Sequence, residues 1–111
     1  MTRGFRLTRR AENSLVDIAL WTSRTFGPRQ AALHESELIA RCEEIARGHA
    51  ASRSCAVLVD GAAELRYARA GEHFVVFLDR AEGVIVVDVL HARSDLPRHL
   101  AALAALDEGS G

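Results

Sequence analysis

The feature that most constrains the fold is the last third of the chain, where LRYARAGEHFVVFLDRAEGVIVVDVL runs directly into HARSDLPRHLAAL. Strands are predicted over Leu65–Arg69, His73–Leu78 and Val84–Leu90, because runs of β-branched and aromatic residues are broken only by two short glycine-bearing turns of hairpin length. FVVFL has no polar gap and is expected to be the central strand, covered on both faces. In the next strand, strict alternation puts Ile85, Val87 and Val89 on one face and lets Asp88 interrupt the other. Asp95 can then cap a final helix with Pro97 in its first turn and Leu96, Leu100, Leu103 and Leu106 as its apolar stripe. The tail DEGSG is expected to fray.

The first half reads differently. Phe5 and Leu7 alternate with Arg6 and Thr8, which predicts a short strand ending where Thr8 caps a helix. From Arg9 to Phe26, the residues Ala11, Leu15, Ile18, Ala19, Thr22 and Phe26 recur at helical spacing. Gly27-Pro28 stops that helix and starts another, since glycine suits a left-handed stop and proline a first turn. The second helix, about Pro28 to Arg47, carries Ala31, Leu38, Ile39, Cys42, Ile45 and Ala46 on one face, and Gly48 ends it. From His49 to Glu64 the chain is small and irregular, and CAVLV fits either a short strand or a packed loop. The expected order is strand, helix, helix, three-stranded meander, helix: an α+β fold with a mainly antiparallel sheet packed on a helical hairpin.

At 111 residues this is a single domain, able to remove roughly two-thirds of its unfolded surface from water without disulfides or a metal. A formal net charge of -1 gives no whole-molecule field toward nucleic acid or an anionic membrane. All 14 basic residues are arginine, so no lysine can act as base or Schiff-base nucleophile. Arg3, Arg6, Arg9 and Arg10 cluster without interleaved aromatic rings, which reads as a solvated face and argues against direct nucleic-acid binding. Cys42 and Cys55 are too far apart for a redox pair, and Cys42 on an apolar helical stripe reads as a buried, inert thiol. The five histidines, including His34, His49 and His99, have no spacing that marks a tetrahedral set, and no cofactor or metal site is expected. The N-terminal stretch MTRGFRLTRRAENS lacks the apolar core of a signal peptide, and VIVV is too short to span a bilayer. A cytoplasmic protein is expected.

Polar side chains gather where the last strand ends. In His91-x-Arg93-x-Asp95, the first two can meet acidic or phosphate groups of a partner. Alternatively, Asp95 is a helix cap and Arg93 pairs with it or with Asp88. Arg66 and Arg69, with His73 beyond the turn, form either a basic patch beside His91 or one solvated face of the sheet. Trp21, one step off the main stripe of the first helix, either completes the core or sits at the rim of a groove.

Three segments in this order, RLTRRAENSLVDIALWTSRTFGPRQA, LRYARAGEHFVVFL and VDVLHARSDLPRHL, resemble the RelE/ParE superfamily of bacterial toxins from type II toxin–antitoxin modules, and the ParE branch most. They cover most of the chain, leaving His49 to Glu64 and the tail outside. The resemblance implies a plasmid-stabilization type of toxin that inhibits DNA gyrase, has no catalytic residues, and forms a hetero-oligomer with a cognate ParD-like antitoxin. On that reading the target-facing residues are His91, Arg93, Arg98, His99, Arg66 and Arg69. The antitoxin anchors are Trp21, Phe26, Leu33 on the exposed ridge of the second helix, and Tyr67. The RelE branch instead cuts messenger RNA on the ribosome with a basic and aromatic cluster near the C-terminus. After Leu100 this chain has no basic, aromatic or histidine side chain, and a reduced nuclease set would have to come from His91, Arg66, Arg69 and Arg93. A toxin that survives only as an antitoxin-binding module is a third alternative.

Overall fold

A computed structural model describes residues 3–58 and 64–109. The order is β1 (Gly4–Leu7), α1 (Arg9–Phe26), α2 (Pro28–Ala46), β2 (Arg53–Ser54), a 3-10 turn (Cys55–Val57), β3 (Leu65–Ala70), β4 (His73–Arg80), β5 (Gly83–His91) and α3 (Leu96–Gly109). Of the two readings of CAVLV, its described residues fit the packed loop, with Cys55–Val57 in a 3-10 turn; the short strand lies just before it, where Arg53–Ser54 pairs antiparallel with Tyr67 and Arg66. Residues 59–63 lie outside the described residues.

The five strands form one sheet in the order β1-β5-β4-β3-β2. The three-stranded meander is antiparallel, and β1 joins it in parallel along β5. FVVFL is the middle strand, and its alternation feeds two cores: Val75 and Phe77 pack toward α1 and α2 with Ala11, Leu38, Cys42 and Ile45, whereas Val76 packs with Leu90, Leu100 and Leu103 under α3. Because both faces of β4 are covered, a continuous apolar run is what this position requires.

Two local devices join the sheet to the helices. Thr8 caps α1 by accepting the Ala11 N–H at 3.1 Å, and its hydroxyl donates to the Val87 carbonyl at 2.7 Å. One side chain thus stabilises a helix start and pins it to β5. Gly83, opposite Gly4, allows close backbone approach: a Cβ there would lie 2.6 Å from the Gly4 carbonyl oxygen.

Strict alternation fails in β5. Its ladder with β4 shifts between Val76 and Phe77, so that Val86 faces Phe77 but Asp88 faces Val76, and Val87 is the extra residue of a bulge. As a result Val84, Val86 and Val89 share the core under the helical hairpin while Val87 packs toward α3. This corrects the grouping of Ile85, Val87 and Val89. Asp88 is buried and its Oδ1 accepts the Ser14 hydroxyl at 2.5 Å and the Val89 N–H at 2.8 Å. Phe26 departs from the predicted stripe of α1: it is 65% exposed, because it is the last helical residue and stands at the hairpin turn rather than over the sheet. α3 continues to Gly109, into the segment expected to fray.

Candidate partner-binding groove

A groove of about 630 Å³ lies where α1, the start of α2 and the ends of β4 and β5 meet, lined by Ile18, Trp21, Phe26, His34, His73, His91 and Arg93, with Asp17 and Glu72. Trp21 is 59% exposed and its ring meets Phe26 edge-on, centroids 5.9 Å apart. Of the two expectations for Trp21, the structure therefore shows the groove rim. Together the two rings form an exposed aromatic patch at the rim of the groove.

The opposite wall is a row of three histidines, one each from α2, β4 and β5. His73 lies 5.2 Å from His34 and 5.1 Å from His91, ring centroid to ring centroid. His73 is buried, and its Nδ1 has no hydrogen-bond partner among the described residues. Burial pushes its pKa down to about 4, with repulsion from His34 and His91 acting in the same direction and Glu72 opposing. The row thus has a neutral centre at neutral pH.

His91 and Arg93 are joined locally: the Arg93 N–H donates to His91 Nδ1 at 3.0 Å. The Arg93 guanidinium makes no ion pair among the described residues, so neither Asp88 nor Asp95 is its partner. Asp95 is the cap of α3, its carboxylate accepting the Arg98 N–H and its carbonyl the His99 N–H. Of the readings of His91-x-Arg93-x-Asp95, the helix cap is seen at Asp95, and the pairing of Arg93 with Asp95 or Asp88 is not.

The other sequence-predicted residues do not meet here. Arg66 donates to Ser52, through Nε to the hydroxyl and through its guanidinium to the carbonyl. Arg69 lies over the Phe74 ring, 5.1 Å from its centroid, and donates to the Gly71 carbonyl. Tyr67 packs edge-on against Phe74 and belongs to the core under α3, on the face of the sheet opposite the hairpin. Arg98 and His99 are exposed on α3, which covers that same face, and Leu33 is exposed on α2 outside the groove lining. A single small partner cannot cover Trp21 and Tyr67 together without passing around the sheet edge. Of the two sequence readings of His73, the structure shows the one that sets it beside His91, whereas His34 as part of the same site was missed. Among the described residues no group of three His, Cys, Asp or Glu is arranged to hold a metal ion, and no helix is long and apolar enough to cross a membrane. Both cysteines are free and buried, and burial raises each thiol to about 11.

These features define a small α+β domain with an open groove, lined by aromatic rings and histidines, at one end of its sheet. The same fold is found in a solved structure described as the chromosomal ParDE toxin–antitoxin system from P. aeruginosa, with a TM-score of 0.68 at 12% identity, covering 83% of this chain and 98% of that one. No curated protein sequence matches the chain. The family model for the ParE toxin of the type II toxin–antitoxin system parDE matches residues 5–96, and the chain belongs to that family.

Proposed function

We propose that this protein is a toxin that inhibits DNA gyrase and is held silent by a cognate ParD-like antitoxin bound across the α1–α2 hairpin and its groove. The observation that carries the reading is the family match over residues 5–96, which spans every element that forms the groove. The exposed Trp21–Phe26 pair supports a protein partner, because rigid aromatic side chains supply large contact area at low entropic cost. Inhibition by occupancy, without turnover, agrees with the dispersal of the reduced nuclease set: Arg66 is tied to Ser52 and Arg69 to Phe74 and Gly71, away from His91 and Arg93. A nuclease needs its base, acid and cations converging on one phosphate.

The test measures two activities of the purified chain in parallel: supercoiling by purified gyrase, and transcript cleavage on translating ribosomes. Loss of supercoiling with intact transcripts is expected, and addition of the product of the adjoining reading frame should restore supercoiling. Cleavage without any effect on gyrase would assign the RelE-like activity instead. No effect in either assay, with a stable complex still forming, would leave the chain as an antitoxin-binding module.

A further inference from the structure

The chain leaves β5 through a turn built on the side chain of His91, whose Nδ1 accepts the Arg93 N–H at 3.0 Å. Asparagine and aspartate side chains make this bond to the second residue onward in an Asx turn, and here an imidazole takes their place. The difference matters because a carboxamide oxygen accepts at any pH, whereas Nδ1 accepts only while the ring is neutral. Neutral His91 carries its proton on Nε2. A second proton, on Nδ1, sets one N–H against another.

The ring is exposed, so protons reach it directly from solvent. His73 of β4 stands edge-on to it, and His34 of α2 lies beyond His73. Asp17 of α1 and Glu72 of the β3–β4 turn line the same space, as does Arg93. The two carboxylates favour a charged ring, whereas Arg93 and a charged His34 oppose it. The other bonds of the turn do not involve the ring. The Ser94 N–H and hydroxyl donate to the His91 carbonyl at 3.0 and 2.6 Å, and the Ala92 N–H donates to the Glu72 carbonyl at 2.8 Å. Loss of the ring bond therefore frees Arg93 between two anchored neighbours.

We propose that this turn is a proton-operated latch on Arg93: neutral His91 holds the Arg93 backbone and keeps its side chain in the groove lining, and the doubly protonated ring lets it go. The latch is a property of the turn and does not depend on the toxin reading or on what covers the groove. Any surface that includes Arg93 is better ordered at neutral pH than in mild acid.

Nuclear magnetic resonance of the full chain, labelled with nitrogen-15, tests the latch between about pH 8 and 5, the span in which imidazoles ordinarily titrate. His73 does not interfere, because burial pushes its pKa down to about 4. As the His91 ring charges, the Arg93 amide should exchange with solvent about tenfold faster relative to a free peptide, and its shift should track the titration of the ring. The Ala92 and Ser94 amides, held by carbonyls, should show no such step. His91→Asn keeps an acceptor that does not titrate, so Arg93 should stay protected at every pH. His91→Phe removes the acceptor and should leave Arg93 unprotected throughout. Backbone spectra confirm the fold of both variants. An Arg93 amide without a step, a step that does not track the His91 ring, a step that survives in His91→Asn, or parent-like protection in His91→Phe overturns the proposal. So does an equal step at Ala92 and Ser94, which marks a general loosening of this end of the sheet.

Discussion

His73 and His91 face each other across β4 and β5, with ring centroids 5.1 Å apart and planes at 81°, only because Val87 bulges out of the ladder. A regular ladder continued from the Arg80–Gly83 pair would oppose His73 to Leu90 and turn His91 to the other face. The inserted residue moves His91 onto the hairpin side, where it joins His34 and Arg93 in the groove.

The fold should weaken in mild acid because of His73. Its pKa falls from 6.5 unfolded to about 4 folded, so between those values the unfolded chain binds more protons and stability drops as pH falls. The loss is complete below about 4 and amounts to on the order of 3 kcal/mol. Urea melts between pH 7 and 4 should show it, and His73→Phe should flatten that part of the profile. A parent midpoint that is independent of pH over this range contradicts the assignment.

Gly83→Ala should destabilise by roughly 1–3 kcal/mol, because the new methyl meets the Gly4 carbonyl at 2.6 Å and the parallel β1–β5 pairing must open. Hydrogen exchange should show the loss concentrated in β1. A variant as stable as the parent would mean that β1 yields without cost.

Thr8→Ala removes both the cap of α1 and the bond to the Val87 carbonyl. A loss of about 1–2 kcal/mol is expected. Thr8→Ser keeps both hydrogen bonds and should recover most of it in thermal melts.

Trp21→Ala and Phe26→Ala act on opposite properties. Both rings are more than half exposed, so stability should change by about 1 kcal/mol or less. Affinity for the antitoxin should fall by about tenfold or more if these rings are anchors. Calorimetry of the complex, compared with melts of the free chain, separates the two effects.

Replacing His91 and Arg93 together by alanine should reduce toxicity on induction without unfolding the chain, since both side chains are exposed. Lethality equal to that of the parent would move the target-facing surface away from the end of β5.

Element order was legible from residue patterns because each element satisfies its own local rule. FVVFL has the unbroken apolar run of a doubly covered strand, Gly27-Pro28 punctuates two helices, and Thr8 and Asp95 are capping residues at the expected places. Candidate residues were legible one by one: His91, Arg93, Trp21 and Phe26 all line the groove. Their partners were not: Arg66 and Arg69 fitted either a patch beside His91 or a solvated face, and only the structure shows them held by Ser52, Phe74 and Gly71.

Taken alone, the order of residues determined which segments outside 49–64 are helix and strand, that Cys42 lies on an apolar helical stripe, and that polar groups cluster after the last strand, because these depend on contacts within a few residues. The tertiary structure decided which of those groups meet. The parallel docking of β1, the bulge at Val87 and the row of His34, His73 and His91 arise from register between segments far apart in the chain, where a one-residue slip exchanges the two faces of a strand and no local pattern reports it.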